Sequence, residues 1–336
     1  MPVSTPSAAV IRSDLGGFLE NLNAASFGFI AQALFPSALT PMRTGRFRVM
    51  NAGEFLRYVE TKRAPMGASA RLPAARTYID FDIDEFAAEG QIDDSDQQPF
   101  GSPEQGDQNT SLRIAGGILR TLEVDTSAAV FNETTFPASG ATGLTVGTPW
   151  STAASATPIN DVMTGHQSIT DRTGQKANTL VITRKAWRNL SVCASVLERI
   201  KYAANPVTAE GYIKAPELAR IFDVDEVLIA GSVKNTANMG LADSLSNIWS
   251  DTYAFLAYKG KGDPTMEPQI GRCMTWDQTP PTPGADSKFS TNVDGESVLV
   301  EEYAEPRSSS RILKVKMFKQ PKIITNECGY LLKGVG

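Results

Sequence analysis

Residues 178–203 change period in mid-stretch. Leu180, Val181 and Ile182 form a continuous apolar run, and from Arg184 onward apolar positions recur at intervals of three and four: Trp187, Leu190, Val192/Cys193, Val196/Leu197 and Ile200. The run predicts a buried strand, and the spacing predicts one amphipathic helix following it without a gap. Arg184, Lys185, Arg188, Glu198, Arg199 and Lys201 fall mostly between the apolar positions.

The same reading extends along the chain. Residues 19–34 predict a short helix, stopped by Pro36 and Pro41. Phe47 and Val49 alternate with Arg46, Arg48 and Met50, and Tyr78, Ile79, Phe81 and Ile83 alternate imperfectly with Asp80, Asp82 and Asp84, which predicts two strands. The interval between them is poor in apolar residues and holds Pro65, Gly67 and Pro73; a loop of that length reads as an extended hairpin projecting from the body. The longest helix is predicted from Leu112, Ala115, Leu119, Leu122, Thr126 and Ala129/Val130, with Asn109 or Thr110 as N-cap. Gly116 and Gly117 weaken it locally or permit a close neighbour. Further expectations are a helix over 159–167, a helix ending near Phe222, a strand over 226–230, and a strand in "IWSDTYAFLAYK". Residues 260–290 read as loop. Two strands around a turn at 306–310 follow, then a last strand in "CGYLLKGV".

Composition narrows the class. The 336 residues are 41% hydrophobic and 21% charged, ordinary for a globular protein. No window approaches the ~20 apolar residues of a membrane span. The first twenty residues lack a charged region followed by an apolar core, so no secretory signal is expected and a cytosolic origin is the default. Cys193, Cys273 and Cys328 are scattered without a CxxC pair, which predicts buried small hydrophobes rather than disulfides or a zinc site. A net charge of −5 argues against a dedicated nucleic-acid binder.

Charge is segregated along the chain. Residues 43–76 carry eight basic side chains, among them Arg57, Lys62, Arg63 and Arg71, against Glu54 and Glu60. Residues 80–107 carry ten acids, among them Asp93, Asp94 and Asp96, and no Lys or Arg. Such blocks are either solvated faces or complementary surfaces that meet between neighbouring copies. Those seven residues are the candidate inter-subunit contacts.

Catalytic chemistry finds no foothold. His166 is the one histidine, which removes Ser-His-Asp triads and multi-histidine metal sites. "GATGLTVG" lacks the Lys-Ser/Thr and following helix of a phosphate loop. Asp93 and Asp94 could act as an acid/base pair only inside a pocket. Lys62 and Asn326 could in principle join as an isopeptide, a pair that carries almost no information. No catalytic, cofactor or metal residues are expected.

The order of features resembles the major capsid proteins of tailed bacteriophages, in particular the family typified by the lambda-like gene E capsid subunit. The residues that carry it are "LFP" (34–36), "GEFLR" with "RAPMGASA", "YIDFDIDEFAAEGQIDD" (78–94), "NTLVITRKAWRNLSVCASVLERIKY", "DEVLIAGSVKNTA" and "CGYLLKGV". The likeness spans nearly the whole chain from about Phe29.

The resemblance implies an α+β fold with an N-terminal arm (1–43), an E-loop hairpin (44–90), a peripheral domain (91–204) with a spine helix at about 110–132, and an axial domain (205–296). Return strands of the peripheral domain (297–325) and a final axial strand (326–336) complete it. It implies a non-enzymatic subunit that assembles as pentamers and hexamers into an icosahedral shell around double-stranded DNA, in the virion capsid, assembled in the host cytoplasm. Portal, scaffold and decoration proteins are the further partners it implies; no cofactor and no membrane are involved. The alternatives are an encapsulin-like compartment, which shares the fold, an enzyme with an unrecognised site, and a tail or decoration component, which would not need both arm and hairpin.

Overall fold

In the computed structural model the strands sort into two main sheets, each drawing on distant parts of the chain. The structure describes residues 10–12, 14, 15, 19, 28–63, 65–71, 77–93, 103–201, 213–262, 264–276, 290, 291, 297–305 and 308–336. In chain order the elements are β1 (Val10–Ile11), α1 (Ala31–Leu34), β2 (Ser37–Thr40), β3 (Thr44–Val49), α2 (Ala52–Phe55), β4 (Thr77–Asp82), β5 (Asp84–Asp93) and α3 (Pro103–Val130). Then come β6 (Gly143–Thr145), α4 (Pro158–Thr173), β7 (Thr179–Thr183), α5 (Arg184–Val192), α6 (Ala194–Lys201), α7 (Ala215–Phe222) and β8 (Glu226–Ala230). The last are β9 (Val233–Asn235), β10 (Leu245–Asn247), β11 (Tyr253–Ala257), β12 (Gly271–Trp276), β13 (Ser290–Thr291), β14 (Ser297–Glu305), β15 (Ser310–Ile323) and β16 (Gly329–Lys333).

The first sheet is built on β15, paired antiparallel with β14, β5 and β12; β1 and β13 pair with β14, and β2 runs parallel to β12. Alternation along β15 puts Leu313, Val315 and Met317 into one cluster with Val298 and Val300 of β14 and Ile114, Ala115, Ile118 and Leu119 of α3. The helix can lie this close because Gly90 of β5 has no side chain. A Cβ there would sit 2.6 Å from Thr110 Cγ2 and 2.9 Å from Ile114 Cδ1.

The second sheet has the order β6-β16-β11-β7-β8 and is covered on both faces. Leu180 and Ile182 pack with Leu256, Leu332, Ile169, Leu190, Val196 and Phe222 on the side of α4 to α7. Val181 packs with Phe255, Leu331, Leu34, Phe35, Val130 and Phe136 on the other. Burial of both faces explains the unbroken apolar run of β7, whose five residues are all buried. The spine helix α3 therefore contributes its middle to the first sheet and its end, Val130, to the second.

Several expectations need correction. The helix predicted after β7 is two helices. Cys193 is extended (φ −68, ψ 127) and buried, with the Ala194 amide turned to Ala153 O at 2.9 Å. The apolar spacing continues through this break because both helices bury the same side. The long helix begins at Pro103, seven residues before the predicted Thr110, since Pro is favoured in a first turn and Asp107 is anchored there by two arginines. The predicted helix over 19–34 is interrupted at Gly28, which is left-handed (φ 73); only Ala31–Leu34 continues as helix, and residues 20–27 lie outside the described residues. Part of the expected loop 260–290 is β12, buried along most of its length and so lacking alternation. "GATGLTVG" supplies β6, paired parallel with β16, and is not a phosphate loop.

The expected division at 204/205 does not coincide with the sheets. β7, from the segment 91–204, is paired between β11 and β8, from 205–296. β12, from 205–296, belongs to the other sheet.

Candidate functional site

The hairpin β3-β4 pairs Thr44 with Asp82 through Val49 with Thr77, and its base is fastened to the body. Val49, Phe81 and Ile83 are buried with Met274, Leu299, Phe318 and Ile324. The amide of Met50 bonds to Pro264 O at 3.1 Å. The basic residues of the base are consumed locally. Arg43 Nε donates to Ile83 O at 3.0 Å, and its guanidinium lies 5.9 Å from the Phe318 ring centroid. Arg46 pairs with Asp80 at 2.6 Å and Arg48 with Glu54 at 3.7 Å.

The tip differs. Arg57, Lys62, Arg63 and Arg71 are all exposed, and none forms an ion pair with a described residue. Arg63 has a single long bond, Nη1 to Ser69 Oγ at 3.4 Å. Glu60, the acid of the tip, is exposed and engaged locally: it accepts from Tyr58 Oη at 2.7 Å and from the Lys62 amide at 3.1 Å, and these bonds hold its pKa below the ordinary value. Tyr58 and Met66 of the same segment are exposed as well, Met66 at 99%.

The acidic segment is partly neutralised within its own sheet, a role that composition did not reveal. The cationic face of β15 runs between the acids of β5 and β14. Lys314 reaches Glu89 at 3.0 Å and Lys316 reaches Glu301 at 2.7 Å. The Lys314 bond lowers the Glu89 pKa. Of the acidic candidates, Asp93 is exposed at the end of β5, opposite Ser310. Asp94 and Asp96 lie outside the described residues. Asp82, Asp84 and Glu85 are exposed in the described part of the same segment. Within one chain, the structure does not bring the basic tip and Asp93 together as a described pair.

A second charged group ties the N-terminal segment down. Arg12 contacts Asp14 at 2.8 Å, Glu302 at 2.5 Å and Asp107 at 3.3 Å, and Arg311 contacts Asp107 and Glu302, both at 3.1 Å. Asp107 is almost fully buried at the start of α3. The arrangement clamps β1, α3, β14 and β15 together through two guanidiniums and two shared carboxylates.

His166 is buried on α4, with Nε2 2.9 Å from Phe222 O; burial lowers its pKa from the ordinary 6.5. Lys176 and Asp223, which pair with each other at 2.6 Å, act on it in opposite directions, Lys176 lowering and Asp223 raising its pKa. The three cysteines are buried and outside any disulfide among the described residues, and burial pushes the Cys328 thiol up to about 12. Among the described residues no group of His, Cys, Asp and Glu side chains could hold a metal ion. No described helix is long and apolar enough to cross a membrane.

No family model matches the chain. The major capsid protein of Burkholderia phage BcepMu is 23% identical over 312 residues, spanning 91% of each chain. The crystal structure of a phage-related protein from Bordetella bronchiseptica RB50 superposes with a TM-score of 0.70 at 20% identity, over 97% of this chain and 98% of that one. The capsid structure of cyanophage P-SCSP1u superposes with a TM-score of 0.52 at 10% identity, over 99% and 90% of the two chains. The chain has the α+β fold of tailed-phage capsid subunits.

Proposed function

We propose that this chain is the major capsid protein of a tailed bacteriophage, a non-enzymatic subunit that closes into an icosahedral shell around double-stranded DNA. The observation that carries this is end-to-end similarity to the BcepMu major capsid protein, over 91% of both chains. In this reading the first sheet with α3 is the peripheral domain, and the second sheet with α4 to α7 is the axial domain, which moves β7 and α5 into the axial part. The β3-β4 hairpin is the E-loop, and the segment before β3 is the arm. Subunits form pentamers and hexamers by heterologous contacts that curve and close. Assembly takes place in the host cytoplasm; portal, scaffold and decoration proteins are the further partners of such a shell.

The four tip cations, which form no ion pair with a described residue, are the part of the hairpin suited to a neighbour. Their target is the acidic strand of an adjacent copy, with Asp93, Asp94 and Asp96 as the candidate acids. Each exposed pair contributes only ~0.2 to 1 kcal/mol, but a closed shell repeats the contact in every subunit. The wall is not expected to grip its DNA. Net charge is −5, and Arg12, the one basic residue before Arg43, is committed to Asp14, Asp107 and Glu302. Isolated subunits should therefore lack the tight, steeply salt-dependent DNA binding of a protein that neutralises many phosphates.

Light scattering and electron microscopy across salt and protein concentration test the reading. Rings or closed shells are expected; a strictly monomeric species under every condition overturns it. The double reversal K62E/R63E is expected to impair shell formation while leaving subunit melting nearly unchanged. Normal shells from that variant at both low and physiological salt would reduce the tip to a solvated face.

A further inference from the structure

Strand β7 passes into α5 without a loop, and β8 ends beside it, Thr183 opposite Ala230. Beyond these two strand ends lies a cavity of ≈ 220 Å³, whose walls include Arg184, Lys185, Gly231, Ser232, Trp249 and Asp251. Nothing in the shell reading uses it.

Three independent features make its interior suited to negative charge. The N-terminus of the nine-residue helix α5 opens onto it. Thr183 Oγ1 accepts from the Ala186 amide at 3.3 Å, and the amides of Arg184 and Lys185 lie in the first turn, where no intrahelical acceptor exists. Next, Ser232 is 4% exposed, and its Oγ has no hydrogen-bond partner; a buried hydroxyl in that state calls for an external acceptor or donor. Finally, the Arg184 guanidinium lies directly over Gly231. A Cβ at Gly231 would fall 2.2 Å from Arg184 Nε and 2.7 Å from Nη2, so only glycine lets the guanidinium reach the cavity beside Ser232. Neither Arg184 nor Lys185 forms an ion pair with a described residue. The one acid in the wall, Asp251, accepts from Asn247 Nδ2 at 3.1 Å and leaves two cations against one anion.

We propose that this cavity is a binding site for a small oxyanion, a phosphate or a carboxylate. Ser232 Oγ and the first amides of α5 donate to its oxygens, and Arg184 supplies the charge-assisted bond. Trp249, 1% exposed, walls the site with its ring while its Nε1 is turned away to Glu123 at 2.6 Å.

Calorimetric titration of the full-length subunit with inorganic phosphate, at ionic strength held constant with chloride, tests the assignment. One saturable site is expected, with affinity reduced about tenfold or more in Arg184→Gln and several-fold in Ser232→Ala, as the loss of a charged and of a neutral partner requires. Melting without phosphate should be unchanged in Ser232→Ala, which removes a single unpartnered oxygen, so a folding defect in Arg184→Gln cannot mask the outcome. A parallel titration with acetate separates the sources: tighter phosphate assigns a tetrahedral oxyanion, and tighter acetate assigns a carboxylate of the kind a second copy would insert. Absence of saturable binding by either anion, or equal binding by parent and both variants, overturns the proposal.

Discussion

Glu123 sits buried in the middle of the spine helix and is the clearest residue-scale feature that sequence reasoning missed. Its carboxylate accepts from the amides of Ile30 and Ala31, both at 2.9 Å, and from Trp249 Nε1 at 2.6 Å. One side chain thus caps α1 and joins the N-terminal segment, α3 and the segment that leads into β11. Burial raises its pKa against the pull of those three donors. In the sequence it is one polar position of a helix, and its donors lie roughly 90 and 126 residues away, so periodicity gave no signal. Glu123→Ala leaves three buried donors without an acceptor and is expected to lower unfolding stability by on the order of 3 kcal/mol or more, measurable by denaturant titration. His166 supplies a pH test. Its folded pKa lies below 6.5, so between those two values the unfolded chain binds the extra proton. The associated stability is complete above pH 6.5 and is lost as pH falls through the folded value. His166→Gln, which can still donate to Phe222 O, should flatten the loss of stability between pH 7 and 5.5. Comparing parent with variant cancels the opposite effects of Glu123 and Asp161, whose pKa values burial raises. Parallel pH profiles of the two proteins would count against this role.

At the scale of elements, legibility followed burial pattern. Strands with one wet face announced themselves by alternation, as β3 and β4 did. The strand β7 showed as an apolar run because helices cover it on one side and α1 with the end of α3 on the other. The strand β12 was hidden by the same physics: buried almost throughout, flanked by Gly and Pro, and short, it offers neither alternation nor a distinctive run. The break at Cys193 was invisible because an extended residue between two helices preserved the apolar side. The glycines of the spine helix show a further limit. Gly116 and Gly117 attracted attention, yet a Cβ at either would meet nothing within 4 Å. The close approach occurs at Gly90, on the strand beneath. Gly90→Val is therefore expected to push α3 off the sheet and destabilise the subunit by about 1–3 kcal/mol, while Gly116→Ala should be neutral or stabilising because it removes the flexibility of a helical glycine. Thermal melting of the two variants tests the contrast, and equal melting temperatures would refute it.

At the scale of the whole molecule, the order of segments was legible and their grouping into sheets was not. A chain that returns to an earlier sheet after two hundred residues leaves no local mark, and so β7 and β12 changed sides when pairing replaced sequence order. Charge segregation left its partners open in a similar way. The acidic segment read either as a solvated face or as a surface that meets a neighbouring copy, and within the chain Glu89 and Asp107 are held by Lys314 and by Arg12 with Arg311, and Asp80 by Arg46. Among the described residues, the exposed charges of the two segments that lie outside these ion pairs include the four tip cations and Asp82, Asp84 and Glu85. This division separates two salt responses. Folding depends on the partly buried clamp of Arg12, Arg311, Asp107 and Glu302, whose guanidiniums are only about a quarter exposed, and buried pairs are screened far less than exposed ones. Assembly in the proposed reading depends on exposed charges, which act mainly on the rate of encounter and on register. Raising ionic strength from 0.01 M to 0.5 M, across which the Debye length shrinks from about 30 Å to a few Å, should slow shell formation strongly and leave the melting temperature of the unassembled subunit nearly constant. Stopped-flow light scattering and calorimetry on the same samples provide both readings. Assembly rates indifferent to salt would remove electrostatics from subunit recognition, and a melting temperature that fell in step with the rate would mean that salt acts on the fold rather than on the contact.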